Sequence, residues 1–536
     1  MGQVTAQPTG SVLDAPAPER VRISPGPTVP SPVFGATDTV RGWYVTIVLT
    51  SIAAVTRLWG LGSPTNDGFN GNQAVQTPVF DEKHYVPQAW QMLTSGRWIE
   101  DNPAYGLVVH PPVGKWFIAV GEWMFGYTPI GWRFMSAMAG TVLVLVTIRA
   151  ARRLSRSTLV GALAGIFLIC DGLTFVSSRV GILDIFLVML GTVAFSMVLA
   201  DRDQMRRRFA KVYAEGRIAD SPFGPRMGFR WWRFGAALCI GLSFAVKWSG
   251  MYYLIGLTVL SLGFDLANRY AYRVKRPVAG TVVRDLVPTG LVLAITPILV
   301  YLATFGAWFA SETAVYRYEV GNTIGAGGPF SWIPAAIRSL GYYEDSVLQF
   351  HEGLTNSAGN HHPWESKPWT WPMGLRPMLY AYTSDQTHGM CGGGNCVRAV
   401  MLLGTPALAW VSLPVVAWGL WKWLVKREWA WAAVILLYFA TYLPWFVDLD
   451  RQMYYFYGLT LTPFLAIGLG LICNEILGTD GRAATFGRER LVTGRWVVVL
   501  YTSLVILNFA WLWPILTGEP ISTWWWGMEM WLPSWR

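Results

Sequence analysis

Residues 180–200 read VGILDIFLVMLGTVAFSMVLA, and residues 201–211 continue DRDQMRRRFAK. The first run is long enough to cross a hydrocarbon layer, which takes about 17 to 25 apolar residues. The second places Arg206, Arg207, Arg208 and Lys211 directly behind it, the arrangement expected where a membrane helix emerges on the cytoplasmic side. Comparable apolar runs lie near residues 43–59, 130–148, 158–176, 233–247, 250–265, 286–308, 398–420, 429–446, 455–473 and 496–516. Together they predict an all-α membrane protein of about eleven spans. The fifth and sixth runs are separated only by Lys247, Trp248, Ser249 and Gly250, so one continuous hydrophobic block there is the competing reading.

Composition demands the same class. Of 536 residues, 53% are hydrophobic and 14% charged, with 30 Trp, more apolar surface than a soluble domain can hide. The net charge of +10 does not point to nucleic acid, because its placement is one-sided. Beyond 206–211, basic clusters recur at Arg149, Arg152, Arg153 and Arg156; at Arg269, Arg273, Lys275 and Arg276; at Lys422, Lys426 and Arg427; and at Arg482, Arg488, Arg490 and Arg495. With the N-terminus in the cytoplasm, roughly 28 of the 42 Lys and Arg fall inside, as the positive-inside rule requires.

This topology gives a disordered cytoplasmic tail over residues 1–40, a membrane domain over 41–518 and an exterior tail over 519–536. Residues 1–40 contain no apolar core of signal-peptide length. Trp524, Trp525, Trp526 and Trp531 suit an outer interfacial belt. Two long loops, 60–129 and 309–397, face outward. Cys391 and Cys396 in the second are either a disulfide, which an exterior compartment permits, or two free thiols, while Cys170, Cys239 and Cys473 lie in apolar runs as packing residues.

The first loop holds FDEKHY at residues 80–85. Adjacent acids near lipid repel one another and lose hydration, which raises proton affinity toward the range of a general base. Taken alone, Asp81 and Glu82 also fit a solvated loop pair. HPPVGKW at 110–116 places Lys115 where an anionic headgroup would sit, or where a lysine simply snorkels. Arg133, Arg179, Asp184, Lys247 and Arg451 are charges within or beside spans, and such residues face an internal cavity or one another. Arg133, Lys247 and Arg451 are therefore candidates to neutralise a lipid phosphate, against internal pairing such as Arg451 with Asp448 or Asp450. Three histidines, His351, His361 and His362, lie close enough to suggest a metal, but the surrounding Trp and Pro suit interfacial packing and sugar stacking equally.

FDEKHY, HPPVGKW and RLWGLGSP at 57–64 resemble the protein O-mannosyltransferase family. The stretch from His351 through His361, His362 and Trp364 to WPMGLRP at 371–377, together with residues 247–250 and LPWFVDLDRQMYYFY at 443–457, is similar to the same family. The later loop is too short for the soluble β-rich insert of the eukaryotic enzymes, so the resemblance is to the bacterial, actinobacterial branch.

It implies a polytopic glycosyltransferase fold of the lipid-phosphate-sugar-dependent (C-type) class. It further implies a polyprenyl-phosphate-mannose donor and Ser or Thr hydroxyls of exported polypeptides as acceptors, the secretion translocon being a possible neighbour. Inversion at the sugar carbon is implied, with Asp81 as general base and Glu82 orienting. Lys115 joins Arg133, Lys247 and Arg451 at the donor phosphate, and Arg57, His84, His110, His351, His362, Trp371 and Arg376 are expected to contact substrate. A monophosphate leaving group held by Arg and Lys calls for no obligatory metal. Two rival readings remain: a related transferase acting on cell-wall glycan or lipid, and a transporter or flippase, against which no internal repeat is visible.

Overall fold

The computed structural model describes residues 40–65, 77–100, 108–359, 361–385, 391, 395–478 and 487–536. Of the tail expected over residues 1–40, residues 1–39 lie outside them and Val40 begins the first helix.

Eight helices among the described residues are long and apolar enough to cross a membrane: Pro129–Ser155, Asp184–Ala214, Trp248–Ala271, Pro277–Thr304, Pro406–Leu424, Trp429–Phe446, Tyr455–Ile476 and Arg488–Thr517. Each of the eleven apolar runs is at least partly helical, but three fall short of that measure. Val40–Leu58 is diluted by Arg41, Arg57 and three threonines, and Thr158–Ile169 and Trp231–Phe244 have 12 and 14 residues. The run at 158–176 is interrupted because Asp171 stops one helix and caps the next. Its Oδ2 accepts from Thr174 N at 2.9 Å and starts Gly172–Ser177, satisfying a backbone donor that a continuous helix would not leave open.

The fifth and sixth runs are two helices. Lys247 between them is extended, with φ −151° and ψ 145°. A Cβ on Gly250 would stand 2.5 Å from the Ser243 backbone, so only glycine permits this return.

Residues 398–402, expected to begin a span, are strand. Cys396–Leu402 pairs antiparallel with Met378–Asp385 on one side and with Ile521–Ser522 on the other. Hydropathy does not separate a short buried strand from a helix end, and among the described residues this is the one sheet amid helical secondary structure. The Cys391–Cys396 disulfide is formed at its turn.

Asp184–Ala214 is apolar on every side because it is central: 83% of its most apolar window is buried, against 22% for the peripheral Pro277–Thr304. The peripheral helix carries π-helical turns at Val282–Leu286 and Leu291–Ile295, beside Pro288 and Pro297, whose missing N–H groups disturb the α ladder. Pro129–Ser155 starts on Thr128, whose Oγ1 accepts from Gly131 N at 3.2 Å, with Pro129 in its first turn. The amphipathic Val113–Phe125 helix lies so close to it that a Cβ on Gly121 would meet Gly131 O at 2.2 Å. Arg179 donates to the carbonyls of Arg57, Trp59 and Gly60 at 2.8, 2.6 and 3.1 Å, closing the open C-terminal end of Val40–Leu58.

Candidate active site

The adjacent carboxylates of Asp81 and Glu82 part company at the start of the Glu82–Ser95 helix. Glu82 is fully buried. Its Oε1 accepts from Arg133 Nε at 2.7 Å and Gly181 N at 2.8 Å, and its Oε2 from Arg133 Nη2 and Val79 N, both at 2.9 Å. Four donors saturate a carboxylate. Arg133 spends its remaining reach on Leu61 O at 3.2 Å. The pair therefore clamps the first loop to Pro129–Ser155 and to the backbone before Asp184. Arg133 and Glu82, expected at the donor phosphate and as the orienting acid, are not among the residues that line the cavity and are placed by the structure in this clamp.

Asp81 is the opposite case. It stands at the N-cap, yet its side chain makes no capping hydrogen bond. Phe80 before it has φ 47°, a left-handed conformation costly for a bulky residue, and its ring stacks on Tyr380 at 4.6 Å. The carboxylate lines a cavity of about 240 Å³ with Tyr85, His110, Lys115, Lys247, His351, Arg451 and Tyr457 among its walls. Asp81 is half-buried. Burial pushes its pKa up to about 6 against the pull of Lys247, and Asp184 adds to the rise.

Three cations face this cavity, in different electrostatic states. Lys115 is buried against Glu100 and donates to His110 O at 3.1 Å. Lys247 is paired with Asp184 at 2.7 Å. Arg451 has no carboxylate partner among the described residues, and its Nε is buried without an acceptor. Pairing with Asp448 or Asp450 does not occur: Asp448 Oδ1 accepts from the Arg451 backbone, and Asp450 turns to Ser357. The guanidinium instead meets His351, with Nη2 donating to Nδ1 at 3.2 Å, while His351 Nε2 lies 3.3 Å from Val109 O. That partner set needs the neutral Nε2–H tautomer. Burial and Arg451 together hold the His351 pKa down to about 4.

His351 reaches this position from the end of the Ala335–Gly353 helix. Backbone bonds from Asn356 N to Asp450 O and from Gln452 N to Leu354 O, each 2.9 Å, lace that loop to the Arg451 segment. His110 stacks with His351 at 5.5 Å and is pushed down by burial. His84 also lines the cavity and is lowered by burial and Lys83.

Other expected substrate contacts lie elsewhere. Arg57 is fully buried in the last turn of Val40–Leu58, and its guanidinium reaches Ala53 O and Leu168 O. Trp371 is buried and donates to Ser366 Oγ at 2.9 Å. Arg376 donates to Ser534 O and Pro363 O, tying down the C-terminal segment. His362 stands one layer back, its Nδ1 accepting from Trp364 N and its ring edge-on to Tyr454. Conversely, Gln88 lines the cavity although no motif marks it, and Gln452, Tyr454 and Phe456 line it from within the family-like stretch at 443–457, though none of them is an expected substrate contact. The family-like stretch at 443–457 and the aromatic density of YYFY at 454–457 within it are the signals that point there.

A carboxylate of raised proton affinity, facing fixed cations in a cavity of a polytopic helical bundle, is an arrangement that suits a membrane glycosyltransferase. Residues 47–312 match the family described as dolichyl-phosphate-mannose-protein mannosyltransferase, and residues 338–535 match the C-terminal four-span region of protein O-mannosyltransferase. The chain is 51% identical over 530 residues to the polyprenol-phosphate-mannose--protein mannosyltransferase of Mycolicibacterium smegmatis, covering 98% of this chain and 100% of that one. The protein of the same name from Mycobacterium tuberculosis is 51% identical over 537 residues, covering 99% and 100%, and that from Corynebacterium glutamicum 43% over 501, covering 92% and 93%.

In fold, it resembles the S. cerevisiae protein O-mannosyltransferase Pmt1-Pmt2 complex bound to the sugar donor, with TM-score 0.67, 14% identity and 93% of each chain covered. The chain belongs to the protein O-mannosyltransferase family and is a multi-pass membrane mannosyltransferase.

Proposed function

We propose that the chain transfers mannose from polyprenyl-phosphate-mannose to Ser or Thr hydroxyls of exported polypeptides at the outer membrane face, with inversion and with Asp81 as the general base. The acceptor oxygen attacks the anomeric carbon, Asp81 takes its proton, and the bond from that carbon to the phosphate oxygen breaks. A hydroxyl needs such a base because it is a poor nucleophile when protonated. The departing phosphate already carries negative charge, so fixed cations suffice to stabilise it. Arg451 is the strongest candidate for that role because no carboxylate among the described residues compensates it, and Lys247 shares its charge with Asp184. Lys115 and His84 also line the cavity, and Tyr454 and Tyr457 offer faces for the sugar.

The observation that carries this reading is the split of the acid pair: Glu82 is saturated by four donors while Asp81 faces the cavity with no capping bond. Membranes or purified protein given labelled polyprenyl-phosphate-mannose and a Ser/Thr-rich peptide should label the peptide. Asp81→Asn should lower the rate by about 100-fold to 10,000-fold, the usual cost of losing a positioned base. Near-normal turnover in that variant removes Asp81 from the chemistry, and label in glycan or lipid but never in peptide would favour the rival acceptor class.

A further inference from the structure

The Trp231–Phe244 helix ends near Lys247 and the cavity of Asp81, and it begins about 20 Å away at a rise of 1.5 Å per residue. At that far end a second cavity, of about 660 Å³, opens between this helix and Pro277–Thr304. Arg226, Arg230, Arg233 and Arg284 all line it.

Two of these arginines are neutralised. Arg230 grips Asp265 with both oxygens at 2.7 Å and also binds Asp201, and Arg233 reaches Asp265 at 2.6 Å. Asp285, on the cavity wall, is held by Arg269 at 2.7 and 2.9 Å. Five guanidinium groups thus face three carboxylates, an excess of two positive charges, and the excess falls on Arg226 and Arg284. Arg226 makes no ion pair or hydrogen bond to any described residue. Arg284 has only a 3.4 Å contact to Ser221 Oγ, and its Nε is buried with no acceptor.

The Pro277–Thr304 wall, which carries Arg284 and Asp285, also presents apolar side chains outward. Val283 and Val287 are 55% and 62% exposed on the bundle's least buried spanning helix. The π turns beside Pro288 put these valines and Arg284 on one face of the opening. A free anion would use the arginines and leave the valines without a partner. An amphiphile with an anionic head uses both, and basic recesses between spanning helices at the arginine-rich side are where such headgroups lodge.

We propose that this cavity is a binding site for an anionic phospholipid, its phosphate held by Arg226 and Arg284 and its acyl chains against Val283 and Val287. The proposal rests on the membrane reading of the fold and is independent of the role given to Asp81.

The test is native mass spectrometry of the delipidated full chain in detergent, titrated with phosphatidylglycerol, with phosphatidylcholine, and with inorganic phosphate. Wild type should take up phosphatidylglycerol saturably and in preference to phosphatidylcholine. The Arg226→Gln/Arg284→Gln variant should need roughly 25-fold more, at about fivefold for each arginine removed. Arg226→Glu, which replaces a side chain without a partner among the described residues, serves as the second variant should the double one fail to fold, and it should weaken uptake by about fivefold or more. Equal uptake by wild type and variants, or no preference over phosphatidylcholine, overturns the proposal. Arginine-dependent binding of inorganic phosphate without binding of phosphatidylglycerol makes the site one for a free anion and overturns it equally. Peptide mannosylation in detergent should be unchanged in these variants, which separates this outcome from failure of the Asp81 mechanism.

Discussion

Glu82→Gln removes charge from a carboxylate that serves four donors, two of them on Arg133, with both partners almost wholly buried. Breaking a buried pair from one side leaves the other charge uncompensated and costs about 3–5 kcal/mol. Glu82→Gln and Arg133→Ala should therefore lower the unfolding temperature and the yield of folded protein, and a combined Glu82→Gln/Arg133→Met variant should lose less than either alone. A thermal-shift assay on the three variants checks this. Normal stability with selectively weakened donor use in Arg133→Ala would return that arginine to the phosphate.

Asp81 behaves in the opposite sense. Its folded pKa of about 6 lies above the ordinary carboxylate value near 3.9, so the folded state holds more protons than the unfolded state between about pH 4 and 6 and loses stability as pH rises through that window. Asp81→Asn should thus match or exceed wild-type stability at pH 7.5 while losing transfer. The rate with saturating donor should fall about tenfold per unit below about pH 6. His351 and His110 lie too low to supply that limb, so it should persist in His351→Asn, and its absence would reassign the base. The acid pair was legible in FDEKHY, but not which acid is free. That depends on Gly181 N and Arg133, residues far away in sequence that saturate one carboxylate and leave its neighbour open.

Elements were legible to the extent that their environment follows from hydropathy. The central Asp184–Ala214 helix and its basic exit read directly from the chain. The strand at Cys396–Leu402 did not, because its partners, Met378–Asp385 and Ile521–Ser522, are set by tertiary pairing. Nor did the break at Asp171, a capping residue inside an apolar run. The aromatic wall at 454–457 was visible as composition, but its seat on the cavity depends on the Leu354–Gln452 lacing. Helix packing also sets how firmly Lys115 is presented. Gly121→Val would push side-chain atoms into Gly131 O, which already stands 2.2 Å from an ideal Cβ. Overpacking of this kind costs about 1–3 kcal/mol or more, so reduced thermal stability and reduced transfer should appear together. Unchanged stability would mean that the Val113–Phe125 helix moves freely against its neighbour.

At the scale of the whole molecule, the two cavities lie at opposite ends of the bundle, and their charges differ in kind. The Asp81 end carries one open carboxylate and one guanidinium without a carboxylate partner, whereas the other end gathers Arg226, Arg230, Arg233, Arg269 and Arg284 around three aspartates. Arginine-rich ends stay on the cytoplasmic side because translocating them is unfavourable. This orientation predicts that a cysteine placed at the exposed Trp332, ahead of the Ala335–Gly353 helix, reacts with a membrane-impermeant maleimide in intact cells. One placed at the exposed Arg217 should react only after permeabilisation. The background is favourable, since Cys391 and Cys396 are bonded to each other and Cys170 and Cys473 are buried, leaving Cys239→Ser as the one change needed beforehand. Labelling in the reverse order would put Asp81 in the cytosol, where exported polypeptides have not yet crossed, and transfer at the outer face would have to be abandoned even if the chemistry at Asp81 survived.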